Sequence, residues 1–254
     1  TPEEAGWSSA KLGVIEDYYR MLDSAAVMVI YDGAVLFHWG DIKRKFMCHS
    51  VRKSFLSALY GIHVYKGNID LFKTMAELGI DDDPPLTAEE KQAQVIHLLK
   101  SRSGVYHEAA YESAGMKASR PPRGSHPPDT FFYYNNWDFN VLGTIFNQET
   151  GKDLFEEFRD RIAVPLQMED FVMEEDTSYH YESQYSIHPA YPFKMSARDM
   201  ARFGYLYLRN GNWRGKQIIP EHWIQESTFP YSVVNSIFGY GYMWWVVIHN
   251  YFAG

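Results

Sequence analysis

From Ala25 to Tyr31 the chain reads Ala-Ala-Val-Met-Val-Ile-Tyr, and Asp32-Gly33 turns it into Ala34-Val35-Leu36-Phe37-His38-Trp39-Gly40. Two apolar, β-branched runs joined by Asp-Gly predict a β-hairpin, because both central residues of the tight turn need positive φ. The first run shows no polar alternation, which predicts a strand buried on both faces. Such a strand needs a cover on each side. Trp7 to Leu22 supplies one, with Leu12, Ile15, Tyr18, Tyr19 and Leu22 at helical spacing and Ser8 or Ser9 as caps. Tyr242 to Ile248 reads as a strand at the other end, while helical patterns fill the middle. The expected fold is α+β, an α/β sandwich. Its antiparallel sheet is built from both chain ends and flanked by helices, with a mostly helical region inserted between. The division falls at 1–48 and 197–254 for the sheet-containing region and 49–196 for the helical one. A chain of 254 residues is long enough for one large domain or two small ones.

Within the helical region, His49 to Gly61 places Val51, Phe55, Leu56, Ala58 and Leu59 toward a core. Thr87 caps a helix expected over 88–99, with Glu90 at the capping-box position. Asp81-Asp82-Asp83 lacks the alternating oxygen ligands of a calcium loop and reads as a solvated cap region. Ser103 to Asp129 is rich in Gly, Ser, Pro and Arg without an apolar period. It predicts a long loop of the kind that carries function, with Tyr106 and His107 as pocket candidates. Further helices run from Trp137 to Thr150, ending at Gly151, from Leu154 to Val164, stopping before Pro165, from Ser196 to Leu208, closed by Asn210-Gly211, and after Pro220.

Composition excludes several classes of function. Twenty-four basic against 32 acidic residues give a formal charge of −8 with no basic stripe, which argues against a nucleic-acid partner. The single cysteine, Cys48, excludes an internal disulfide and a cysteine-rich zinc site. The ten histidines show no His-Glu-x-x-His and no pair four apart, so no metal site is expected, and no other cofactor. No apolar run has the length of a membrane span. The compartment stays open between the periplasm or exterior, after removal of a presequence, and the cytoplasm.

Two short motifs carry chemistry. Ser50 and Lys53 are one helical turn apart and share a face. A lysine kept partly dry there loses affinity for its proton, and a neutral amine beside a hydroxyl can activate it as a nucleophile. The competing reading is a capping serine followed by a solvated lysine. Phe132-Tyr133-Tyr134-Asn135-Asn136-Trp137 precedes a helix, and a tyrosine there could serve as an acid or base. An asparagine two residues on could present its amide to a substrate carbonyl.

Ser-x-x-Lys followed about eighty residues later by Tyr-x-Asn resembles the serine β-lactamase and penicillin-binding-protein superfamily, in its class C and esterase branch. Pro128 to Asn136, running on to Leu142-Gly143, is similar to that family's Tyr-Ser-Asn segment and makes Tyr134 and Asn136 the matching pair. Ser101-Arg102-Ser103-Gly104-Val105 is similar to its His-Thr-Ser-Gly-Leu loop. Pro165-Leu166-Gln167-Met168 is similar to its Pro-Leu-Gly-Met, and Met195 to Leu208 to its Ser-Ala-x-Asp-Met-Ala-Arg-Phe-Gly helix. Asp129 and Gln167 stand where the family usually has glycine. The resemblance implies that Ser50 is the nucleophile of an acyl-enzyme, Lys53 its base and Tyr134 a second acid/base. Both Lys53 and Tyr134 are then expected to have lowered pKa values. Asn136 would hold the acyl side of the substrate, with Tyr106, His107 and Trp137 as further substrate-binding candidates. The Ser50 N–H would form half of the oxyanion hole.

The expected function is thus a serine hydrolase of small esters or amides. A β-lactamase or D,D-peptidase and a non-catalytic binding or sensor protein are the alternatives. Aromatic abundance, with 7 Trp and 19 Tyr, tilts the reading toward an apolar acyl or alkyl group. Gly239-Tyr240-Gly241-Tyr242-Met243-Trp244-Trp245 is similar to the region before the family's third motif, Lys-Thr-Gly or His-x-Gly, but the sequence ends at Gly254. The natural chain is therefore expected to continue with that strand and a final helix. Alternatively, Ala253-Gly254 would begin the strand, or another chain would complete the fold. The sequence sets no oligomeric state.

Overall fold

The computed structural model describes residues 1–248, so the expectation for Ala253-Gly254 lies outside the described residues. Helix α1 (Ser9–Met21) opens at Ser8, whose side chain accepts the Lys11 N–H. Strand β1 (Ala26–Tyr31) pairs antiparallel with β2 (Ala34–Gly40), and Asp32 and Gly33 take the two left-handed conformations the turn requires, with φ of 47° and 79°. Strand β3 (Lys45–Met47) leads through a single 3-10 turn, His49–Val51, into α2 (Arg52–Tyr65). The short helices α3 (Met75–Leu78), α4 (Val95–Leu99) and α5 (Ala114–Ser119) follow, and then α6 (Asn136–Thr150) and α7 (Leu154–Phe158). Helix α7 runs on into a π-turn at Arg159–Ala163, and α8 (Met173–Asp176) comes next. Strand β4 (Lys194–Ser196) pairs with β3 and so joins the two ends of the helical stretch. The described residues end with α9 (Ala197–Leu208), the small hairpin β5 (Asn212–Trp213) and β6 (Lys216–Gln217), α10 (Glu221–Ser227), and a sheet that has three strands among them. That sheet is β7 (Ser232–Val233), β8 (Phe238–Tyr240) and β9 (Trp245–Val247). The fold is α+β with small antiparallel sheets. Among the described residues no helix is long and apolar enough to cross a membrane.

Helix α2 is the centre of the molecule. From Arg52 to His63 only Ser54 is more than slightly exposed, so the helix is buried all round rather than amphipathic. Phe55 meets Phe158, Phe193 and Phe203 at ring separations of 4.8 to 5.4 Å, tying α2 to α7, to the segment before β4, and to α9. Gly61 lets the Trp223 ring of α10 lie directly on the helix. Val51, expected in the core, is 46% exposed, because the 3-10 turn ahead of α2 rotates it outward.

Several local expectations are corrected. β1 is half-buried rather than buried on both faces, because β2 is its one strand partner among the described residues. Leu12 is the one buried residue of α1, although Tyr19 stacks on Trp39 of β2. The helix expected over 88–99 breaks at Ala93. Thr87 and Glu90 do form the reciprocal cap, but the Met75 N–H bonds to Ala93 O, and those of Val95 and Ile96 to Lys73 O and Leu71 O. The acidic triplet is solvated only in part, with Asp83 exposed and Asp82 not. Asp82 is buried and accepts from Trp137 Nε1, Ser186 Oγ and the Ile187 N–H. The strand expected from Tyr242 begins only at Trp245, because Met243 is left-handed at φ 61° and the Gly241 N–H bonds to Trp244 O.

Candidate active site

Ser50 sits in the 3-10 turn just before α2, exposed to solvent, after His49 at φ 46°. Its hydroxyl caps nothing, since α2 has no side-chain N-cap bond. Instead Oγ lies 3.0 Å from Lys53 Nζ. Lys53 is buried, and its amine sits 4.7 Å from the centres of both the Tyr134 and Phe139 rings. The competing reading required a solvated lysine. Burial, with the charge of Arg52 adding to it, holds the Lys53 amine well below the ordinary lysine range.

Tyr134 lines the same cavity as Ser50, from the turn before α6. That turn is held from below by the loop after α4. The Tyr133 N–H donates to Ser101 O, Ser101 Oγ donates to Tyr133 O, and the Asn135 N–H donates to Ser101 Oγ. Asn135 Nδ2 then donates to Val105 O, and its Oδ1 caps α6 by accepting the Trp137 N–H. These five bonds fix the phenol. Its pKa, expected to be lowered, is raised instead. Burial dominates, outweighing hydrogen bonding to Ser50 and the positive charge of Arg52. Tyr134 is therefore a phenol at neutral pH.

Asp129 and Gln167 take φ of 63° and 55°. The positions where the resembled family has glycine are left-handed here too, a conformation glycine adopts without steric cost. The Asp129 carboxylate accepts from Arg102 Nε at 3.0 Å, its own ion pair.

A cavity of about 430 Å³ opens beside Ser50, Lys53 and Tyr134. Its walls are apolar: Phe55 from α2, Met200, Phe203 and Gly204 from α9, and Tyr240, Met243, Trp244 and Trp245 from the last sheet. The α9 wall is anchored through Asp199, whose buried carboxylate accepts the N–H groups of Glu169, Asp170 and Phe171. The opposite wall is anchored on α2, where Ser57 Oγ donates to Tyr242 O at 2.7 Å.

The structure brings Ser50, Lys53 and Tyr134 together. The other candidates lie elsewhere. Trp137 is fully buried, with its indole N–H donated to Asp82 at 2.7 Å. His107 is buried between Glu108 O and Pro84 O, and Tyr106 packs against Tyr133 and His126. None of the three lines the cavity. Asn136 is buried at the start of α6, its Nδ2 donating 2.7 Å to Tyr111 O, so that amide hydrogen is already engaged. Sequence reasoning missed Met200 and Phe203, visible only as core positions of an amphipathic helix, and Arg52 inside the motif itself. Among the described residues no group of His, Cys, Asp and Glu could hold a metal ion.

Residues 15–251 match the family described as Beta-lactamase. No curated protein matches the sequence. Among solved structures, a provisionally assigned 6-aminohexanoate-dimer hydrolase from Bacillus anthracis superposes with a TM-score of 0.68 at 20% identity, covering 93% of this chain and 68% of that one. An octameric penicillin-binding protein homologue from Pyrococcus abyssi gives 0.67 at 19% identity, covering 93% of this chain and 64% of that one. A penicillin-binding protein from Bacillus halodurans gives 0.68 at 16% identity, with coverage of 94% and 84%.

Proposed function

The chain belongs to the β-lactamase family of serine hydrolases, and from that premise we propose that it cleaves small esters or amides with an apolar acyl or alkyl group, through an acyl-enzyme on Ser50. The observation that carries this reading is the exposed Ser50 hydroxyl held 3.0 Å from a buried amine. A neutral amine takes a proton where an ammonium cannot.

In the proposed sequence Ser50 Oγ attacks the substrate carbonyl while its proton passes to Lys53 Nζ. The Ser50 N–H, in the turn ahead of α2, donates to the oxyanion. As the tetrahedral intermediate collapses, the C–O or C–N bond breaks and the Tyr134 phenol protonates the leaving group. Lys53 is then an ammonium and Tyr134 a phenolate. Return of one proton between them resets both groups before water attacks the ester. Deacylation repeats the steps with water as nucleophile and Ser50 as leaving group. The walls of Phe55, Phe203, Tyr240 and Trp244 offer an uncharged acyl chain an apolar place and offer a charged one no partner.

The pH dependence follows in sign. Lys53 must be neutral and Tyr134 protonated. Activity should fall on acidification through the lowered lysine value and hold on the alkaline side to above the ordinary tyrosine range.

Intact-mass spectrometry before and after a fluorophosphonate probe tests the proposal. One adduct, absent in Ser50→Ala, is expected, followed by faster turnover of p-nitrophenyl butyrate than of nitrocefin. A folded protein that takes no adduct ends the enzyme reading. Preferred turnover of nitrocefin, or lasting acylation by penicillin, replaces the esterase with a lactam-directed enzyme.

A further inference from the structure

Arg52, between Ser50 and Lys53, holds a charge where one is hard to hold. It is 1% exposed and lies at the first residue of α2, where the helix field already disfavours a cation. No carboxylate comes within ion-pair distance of it among the described residues, and its Nε and Nη1 have no hydrogen-bond partner. What it does have is aromatic: its guanidinium centre lies 4.5 Å from the Tyr191 ring centre and 5.9 Å from that of Tyr111. A guanidinium does not shed its proton inside a protein. Two neighbouring cationic side chains are thus buried without an anion, and only Lys53 can become neutral.

The Tyr111 segment brings two carboxyl groups, Glu112 paired with Arg120 and Glu182 accepting the Tyr111 N–H, and neither lies within ion-pair distance of Arg52. The other elements packed around them supply no negative charge at rest. The turn before α6 offers Tyr134, a phenol. α6 itself offers Phe139 and Asp138, whose carboxyl burial pushes far above the carboxylate range. The segment before β4 offers Tyr191 and β8 offers Tyr240, both held protonated by burial. We infer that Arg52 is a positioning residue for the hydrolysis: a fixed, unneutralised cation that keeps Lys53 in its amine form and receives the phenolate left when Tyr134 protonates the leaving group. This rests on the roles proposed above for Lys53 and Tyr134. The charge effects agree with it. After burial, Arg52 is the second cause that lowers Lys53, and it pulls Tyr134 downward against burial.

The test is the pH profile of fluorophosphonate labelling in Arg52→Gln and Arg52→Met, with far-UV circular dichroism as the check on folding. Fluoride leaves without needing a proton, so this rate reads the Ser50–Lys53 step alone. The acid limb should move upward by about one pH unit, with labelling on that limb reduced about tenfold at a given pH and restored on the alkaline plateau. Turnover of an ethyl ester, whose leaving group needs a proton, should fall further than turnover of the p-nitrophenyl ester. A limb that stays in place while the rate drops at every pH would mean a packing role and overturn the inference. Wild-type protein that does not label at all refutes the catalytic reading instead, a distinguishable failure. Should both neutral variants fail to fold, Arg52→Lys decides: a cation kept at position 52 should hold the limb and the plateau rate, a neutral amine there should move the limb upward, and a rate lowered at every pH with the limb in place counts against Arg52.

Discussion

Gly204 offers the sharpest test of the acyl cavity, because one substitution there should raise stability and lower activity together. It lies inside α9, on the wall facing Ser50, and a Cβ built on it meets nothing within 4 Å. Replacing it by leucine removes a helix-interior glycine, worth about 0.5–1 kcal/mol of added stability. The new side chain enters the outer part of a cavity of about 430 Å³. It takes the place of roughly three or four substrate methylenes. At about 0.8 kcal/mol for each buried methylene, a long acyl chain should lose about 2–3 kcal/mol of transition-state binding, roughly 30- to 150-fold in kcat/KM. An acetyl group does not reach that wall and should be turned over within about twofold of wild type. The assay is kcat/KM along p-nitrophenyl acetate, butyrate, hexanoate and octanoate, paired with urea unfolding. Equal losses on acetate and octanoate would show that leucine disturbs the catalytic groups instead of the acyl wall. No loss on octanoate would place the acyl chain elsewhere and refute the assignment of this cavity.

Three further outcomes test the scaffold. Asp82→Ala leaves Trp137 Nε1–H, the Ser186 hydroxyl and the Ile187 N–H without their acceptor and should cost about 3 kcal/mol by urea unfolding at pH 7. Burial raises the Asp82 carboxyl, but its hydrogen bonds outweigh this and leave it lowered, so its stabilisation is lost as pH falls and the gap between variant and wild type should narrow toward pH 3. Asp138 has the opposite sign: burial raises it well above its ordinary value, so the wild type is penalised as pH rises past about 4, where the unfolded carboxyl ionises. Asp138→Asn keeps an oxygen for Ser103 and Asn135, and its Tm relative to wild type should climb between pH 4 and pH 8; a flat difference would count against a neutral carboxyl. Gly61→Ala should destabilise by about 1–3 kcal/mol despite alanine's better helix propensity, because its Cβ runs into the Trp223 ring, and a stabilised variant would show that α10 can move away.

How far the sequence could be read depended on whether the signal was local. The Asp32-Gly33 turn, the Ser8 and Ser196 caps and the Gly151 stop all formed where expected, since each depends on a few neighbouring backbone groups. Ser50 and Lys53 were legible for the same reason, as a helical turn separates them, and Tyr134 was legible through its motif. Failures came where a distant segment decided. Residues 93–96 bond to residues 71–75, and that pairing outweighs the pattern for one continuous helix. Trp137 stands three residues from Tyr134 but belongs to the core, because the cap at Asn135 turns the chain between them and aims the indole at Asp82. Tyr134 was expected to ionise easily; its burial under Tyr240 and Trp245 is a tertiary fact that spacing cannot report. Arg52 combines both cases. Its place inside Ser-x-x-Lys is local and was in view, yet a cation at a helix start reads as solvated until the surrounding packing is known. Only the fold reveals that the residue between Ser50 and Lys53 is buried against tyrosines. On the proposed roles, that packing makes the proton balance of the site a property of three elements far apart in the chain, α2, the turn before α6 and β8, rather than of two motifs.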